Sequence, residues 1–115
     1  MNEAILELLG QIATSYEDEA PECEKYPYMV FEIHCISNDE AVTSYSMEVN
    51  IWDKRETYKR AALLSKKLKA LNGTVLRYEN GICTIYYEND KKIRDSDEEI
   101  KRIQSNFLIR EAKGE

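Results

Sequence analysis

Apolar residues along this chain keep helical spacing, then strand spacing, then helical spacing again, and finally strand spacing. Ile5, Leu8, Leu9 and Ile12 follow the i, i+3, i+4, i+7 rule, with Met1 and Tyr16 extending the stripe, and this predicts a helix over residues 2–15. An acidic connector containing Pro21 follows over residues 17–25 and reads as a surface loop. From Tyr28 to Ile36 the pattern alternates, with Met29, Phe31, Ile33 and Cys35 on one face and Tyr28, Val30, Glu32 and His34 on the other. Ser37-Asn38-Asp39-Glu40 supplies turn chemistry. A second strand over residues 41–52 then puts Tyr45, Met47, Val49 and Ile51 on one side and Trp52 on the other, so the two strands form an antiparallel pair.

Asp53 with Glu56 three residues later resembles a capping box, and it opens a helix predicted over residues 54–71. Ala61, Leu64, Leu68 and Leu71 form the core stripe of that helix, Tyr58 sits one turn ahead, and Asn72-Gly73 ends it. Asn80-Gly81 predicts a hairpin over residues 74–88, with Tyr78 opposite Cys83 and Leu76 opposite Ile85. The last segment fits two patterns. Ser96-Asp97-Glu98-Glu99 would cap a helix through Ile103 and Phe107, whereas Ile103, Ser105, Phe107 and Ile109 alternate as a strand does; the strand reading, over residues 101–110, is preferred. The expected fold is α/β of the α+β kind. It is a two-layer sandwich in which a mostly antiparallel five-stranded sheet carries two helices on one face, in the order α-β-β-α-β-β-β. At 115 residues this is expected to be a single domain.

The net charge of −6 matters less than its distribution. Residues 1–24 hold seven acids and no Lys or Arg, whereas residues 54–69 hold seven basic residues and one acid, Glu56. Two solvated faces are the simplest reading. The sharper one is attraction between opposite ends of neighbouring copies, a head-to-tail contact that closes into a ring when the rotation allows. The overall acidity argues against specific nucleic-acid binding. No apolar run spans a bilayer, and the N-terminal residues lack the basic start of a secretory signal, so a reducing cytoplasm is expected.

Candidate chemistry is sparse. The sequence contains no GxGxxG, phosphate loop, HExxH or GxSxG. Cys35 and Cys83 read as small buried apolar residues, and the lone His34 cannot build a cluster. The acids around residues 95–99 lack EF-hand spacing. No enzyme activity, cofactor or metal is expected. Eight tyrosines and one Trp are the remaining excess. Tyr28 and Trp52 lie on the faces of their strands away from the core, where such side chains serve contact surfaces as readily as partial exposure. Together with the charge blocks they give the candidate interface: Glu17, Asp18, Glu19, Tyr28, Trp52, Arg55, Lys59, Arg60 and Lys66.

Several of these elements match a family pattern: the N-terminal helix, Tyr26-Pro27-Tyr28 leading into a strand, the long strand ending Val49-Asn50-Ile51-Trp52-Asp53, the Ala-, Leu- and Lys-rich helix, and a closing strand bearing Phe107. In these the chain resembles the small tail-completion, or tail-terminator, proteins (minor tail components) of long-tailed bacteriophages and prophages. The resemblance implies a structural virion protein that forms a ring, commonly hexameric, on the head-proximal end of the tail tube. Its partners would be further copies of itself, the tail tube and the head connector. It would assemble in the host bacterial cytoplasm and reside in the virion tail. The alternatives are a head-tail connector (neck) protein and a small regulatory or adaptor binding module.

Overall fold

The computed structural model describes residues 1–22 and 24–113, with side chains through residue 112. Two helices, α1 (Asn2–Gly10) and α2 (Lys59–Lys69), accompany six strands: β1 (Ser15–Glu17), β2 (Tyr28–Asn38), β3 (Val42–Lys54), β4 (Thr74–Tyr78), β5 (Gly81–Arg94) and β6 (Ile100–Lys113). They form one sheet in the order β1-β2-β3-β6-β5-β4, antiparallel throughout except for the β1–β2 pair. The fold is thus mixed α+β with two helices, as expected, but the sheet has six strands rather than five.

The additional strand comes from the predicted first helix, which stops at Gly10 instead of running to residue 15. Beyond it the chain straightens. The Thr14 carbonyl accepts the Met29 N–H at 2.8 Å, and the Asp18 N–H donates to the Phe31 carbonyl at 2.9 Å. Three extended residues thereby cover the otherwise open edge of β2 at Met29–Phe31, and satisfying those main-chain groups outweighs continuing the helical stripe.

The second helix also starts late, at Lys59 rather than residue 54. Trp52, Asp53 and Lys54 remain in β3 and pair with Arg102, Lys101 and Ile100 of β6. Asp53 is therefore not a helix cap. Its side chain is fully buried on the helix-covered face, where the Arg60 Nε donates to both carboxylate oxygens at 3.1 and 3.0 Å.

The hairpin register differs from expectation by two residues: Leu76 faces Cys83 and Tyr78 faces Gly81. Gly81 already belongs to β5, and the positive φ of 82° occurs at Gly73, after α2. At Gly81 the need is spatial instead, because a Cβ there would lie 3.0 Å from the Tyr78 ring. The last segment is strand, longer than the expected 101–110, and it is joined to β5 by an acidic turn. In that turn the Asp95 and Asp97 carboxylates accept the N–H groups of Asp97 and Glu99, each at 3.0 Å.

The core lies between the helices and one face of the sheet. Ile5 and Leu9 of α1 and Ala61, Leu64 and Leu68 of α2 meet Met29, Phe31, Met47, Val49, Ile51, Cys83, Ile85, Ile103, Phe107 and Ile109. Cys83 is buried, but Cys35, expected to be buried too, is exposed, because the distal half of β2 runs past the helices. Helix α1 touches both β1 and β4, the two outermost strands. The sheet therefore coils, and its twist folds the diagonal corners carrying β1 and β4 toward α1.

Phe107 is fully buried at the middle of β6, edge-on to Tyr87 with ring centres 5.6 Å apart. Phe107→Ala should lower stability by about 4 kcal/mol through lost burial and a residual cavity. Urea denaturation measures this, and a loss under about 1 kcal/mol would contradict the packing described.

Candidate interaction surface

The face of the sheet away from the helices presents a row of aromatic residues whose order follows from strand register. Tyr28 lies directly across from Trp52. Their rings are near-parallel, with centres 6.4 Å apart. Tyr26 and Tyr16 flank Tyr28 at 5.4 and 6.4 Å. On the other side Arg102, opposite Trp52 in β6, holds its guanidinium 4.5 Å from the Trp52 ring centre. Its Nη2 donates to the Asn50 side-chain oxygen at 2.9 Å. Tyr28, Val30, Glu32, Asn50, Trp52 and Arg102 meet Asp18, Glu19, Ala20 and Pro21 around a depression of about 270 Å³. The acidic connector and the expected aromatic pair thus form one continuous surface. Arg102 and Tyr26 belong to it and were not expected there; Arg102 shares Trp52's face only because β6 pairs with β3, which no local pattern reveals.

Within the connector, Asp18 adopts a positive φ of 68° as the chain leaves β1, a conformation Asp tolerates better than most residues. The Glu17 carboxylate accepts the Asn2 side-chain amide at 2.6 Å and so ties the loop to α1. Glu19 is exposed.

The expected basic residues divide into three sets. Arg55 and Lys59 line a cleft of about 710 Å³ with Lys54, Arg60, Glu99 and an exposed Leu63. Lys66 stands farther along α2, where it and Lys69 border a depression with Asp90 and Lys92 of β5. Arg60 is committed to the buried Asp53 and is not a free surface cation. The structure does not bring the expected acidic residues of the connector and the expected basic residues together within one copy. The connector flanks the β1–β2 side of the sheet, and Lys66 and Lys69 overhang the β5 side. The charge separation is therefore across the sheet, between its two flanks.

Elsewhere on the helix face, Tyr45 donates to the Glu111 carboxylate at 2.9 Å, and Tyr78 donates to its other oxygen. This pins β3 and β4 to β6. Near α2, the Asp90 carboxylate accepts the Tyr87 hydroxyl at 2.7 Å and the Ser65 hydroxyl at 3.1 Å. Among the described residues no three His, Cys, Asp or Glu side chains stand together as a metal site would require.

Arg60→Ala would leave the Asp53 carboxylate buried without its partner and should cost about 3 kcal/mol; Arg60→Lys should recover only part, since Lys cannot reproduce the forked contact. Equal stability of Arg60→Ala and the parent in a urea titration would show that the pair contributes nothing.

The tyrosines predict an alkaline limit. Burial, then donation to Glu111, pushes the Tyr45 phenol up to about 12. Burial, then donation to Asp90, pushes Tyr87 up to about 12. Tyr78 shifts in the same direction, from burial first and Glu111 second. Each group keeps its proton more firmly in the folded chain, so its contribution is complete below the ordinary phenol value near 10 and is lost as pH rises toward 12. Tyrosinate absorbance should show these three of the eight tyrosines, and Tyr28, which burial also raises, titrating late, together with collapse of the near-ultraviolet circular dichroism. Uniform titration near pH 10 in a chain that stays folded would refute the assignment.

No protein-family model matches the sequence, and no curated protein matches it. Among solved structures the fold is similar to a chain in the structure titled "Virion of native gene transfer agent (GTA) particle". The TM-score is 0.71 at 15% identity, over 91% of this chain and 84% of that one. That likeness is one of fold.

Proposed function

We propose that this chain is a structural protein of a phage-type virion, a tail terminator or tail-completion protein that forms a ring between tail tube and head. The observation that carries the reading is the fold shared, over nearly the whole chain, with a chain of a gene transfer agent virion, a phage-like particle. The sequence resemblance to tail-completion proteins points the same way.

The distribution of surface groups supports assembly of like copies. An acidic connector stands on one flank of the sheet and a basic helix side overhangs the other, so a neighbour related by rotation would bring opposite charges together. The aromatic row, half-buried at Tyr16, Tyr28 and Trp52 and exposed at Tyr26, provides contact area at low entropic cost. The clefts, by contrast, are lined by surface Lys, Arg and Glu side chains with no His or Cys, an arrangement suited to docking and salt-dependent attraction.

Two measurements test the proposal. Native mass spectrometry at low salt should give a single closed multimer, and the same chain added to purified tail tubes should bind their ends. Glu19→Lys with Glu22→Lys should weaken association by roughly tenfold or more, since like charges then meet across the contact. Lys66→Glu with Lys69→Glu in the opposite copy should restore it. A chain that stays monomeric at every salt concentration and ignores tail tubes would sink the reading, and binding to head connectors alone would move it to the neck.

A further inference from the structure

Besides the outer edges of the short strands β1 and β4, the sheet has two stretches of open main-chain edge among the described residues, and these two match one another. Strand β2 is covered by β1 only at Met29–Phe31, so Glu32–Asn38 has a neighbour on the β3 side alone. Strand β5 is covered by β4 only at Gly81–Ile85, and the Tyr87 N–H donates to the Asn72 side-chain oxygen at 3.0 Å. From Glu88 to Arg94 no strand among the described residues pairs with its outer edge. Each open run is seven residues long.

We infer that these edges pair with each other between copies, so that β5 of one subunit continues into β2 of the next and a single antiparallel sheet runs around the ring. The inference rests on the ring reading above and specifies its interface.

Strand direction fits this. Strands β2 and β6 run one way and β3 and β5 the other. Rotation about an axis close to the strand direction therefore sets β5 against β2 antiparallel. The stagger fits too. Through Tyr45 and Ile109, Cys35 at the centre of the β2 run lies level with Ile85. Next to the centre of the β5 run, Lys92 has the outward phase that matches Cys35; it lies seven residues beyond Ile85, one of which is taken up by the bulge between Tyr87 and Asn89. Six strand steps are about 20 Å, and the four strand spacings of one repeat are about 19 Å. Their ratio corresponds to a strand tilt of about 45°, at the upper end of the range of closed sheets.

The short edge strands act as stops. In the paired arrangement β1 of the neighbour lies beyond the end of β5, and β4 lies beyond the end of the neighbour's β2. Alternation also names the groups that would bond. Met29 and Phe31 use their main-chain groups toward β1, which leaves those of Ile33 and Cys35 pointing out. On β5, Asp90, Lys92 and Arg94 take that role after the bulge. Charge agrees: residues 32–40 carry Glu32, Asp39 and Glu40 with no Lys or Arg, while the β5 run carries Lys91, Lys92 and Arg94. The acids of the β5 run are Glu88 and Asp90, and Asp90 is already bonded within its own chain. Ile36, 58% exposed on the open β2 run, is the apolar residue such a contact would cover.

Cysteine cross-linking tests this. Cys35 is exposed on one run, and Lys92→Cys places a thiol on the other. A short bis-maleimide should join the variant into a ladder of multimers ending at the ring size. The same variant carrying Cys35→Ser should not form it. Pairing holds the two thiols at an effective concentration near millimolar, so linking should be on the order of tenfold faster or more than in that control. Circular dichroism verifies that the variants are folded. Three results would overturn the inference: products that stop at a Cys35–Cys35 dimer, a ladder no faster than the control's, or a strictly monomeric chain. A ring mass that persists with no link between Cys35 and the thiol introduced by Lys92→Cys would refute the edge pairing while leaving the ring intact.

Discussion

The structure depends on the insertion of the last strand between two parts of the sheet. Strand β6 pairs along its length with β3, from Val42 opposite Ala112 to Lys54 opposite Ile100, and on its other side with β5. It thereby joins β1-β2-β3 to β5-β4, and it contributes Ile103, Phe107 and Ile109 to the core they share. Until the end of the chain arrives, the first three strands and the β4–β5 hairpin have no common core. Four of the five ladders join consecutive strands, but β3–β6 pairs residues from Val42 opposite Ala112 to Lys54 opposite Ile100, so the two halves share a core only once that one distant closure forms, which slows folding relative to a wholly locally wired domain. The buried polar groups reinforce the same junction. Tyr45 and Tyr78 both donate to Glu111 on β6, and Arg60 ties α2 to Asp53 on β3 beside it.

How far the sequence announces this structure depends on how far each signal extends. Strands β2 and β3 and helix α2 are long enough for their periods to be unambiguous, and their faces follow from alternation. Strand β1 has three residues, too few to show a period, and it lies inside an apolar stripe that also fits a helix. Asp53 carries two compatible meanings, helix cap or buried partner of a cation, and only the pairing of Trp52–Lys54 with β6 decides between them. The β4–β5 register moved by two residues, a shift that leaves every side chain on its original face and so is invisible to hydrophobic pattern. The open space that Gly81 leaves for the Tyr78 ring sets that register instead.

The candidate surface was legible as residue types and not as a place. The acidic connector, Tyr28 and Trp52 do lie together, but they are joined by the β2–β3 register and by Arg102, whose position depends on a strand far away in sequence. The basic helix separated into cations facing solvent and one, Arg60, drawn inward by a carboxylate that the sequence had assigned to capping. Charge blocks identify a solvated face; only tertiary pairing shows which members of the block are free.

Twist connects these observations. A twisted sheet bends one pair of diagonal corners toward one side and the other pair away. Here the corners carrying β1 and β4 close on α1, and the short strands there are capped. The remaining corners are at the far end of β2, which runs past the helices, and the far end of β5, which lies beside α2 through Asp90 and Ser65; among the described residues no strand pairs with their outer edges. In the proposed ring, continuing the sheet across those corners would keep both helices of every copy on one and the same face of the joined sheet. The two kinds of contact then divide the work. Screened charges on the flanks are worth only about 1 kcal/mol or less each, and they act at a distance, which suits them to orienting an approaching copy. Main-chain hydrogen bonds are individually no stronger in net terms, about 1 kcal/mol, yet they form only in register. In such an interface attraction sets how often copies meet, and the seven-residue edges set the single way in which they stay.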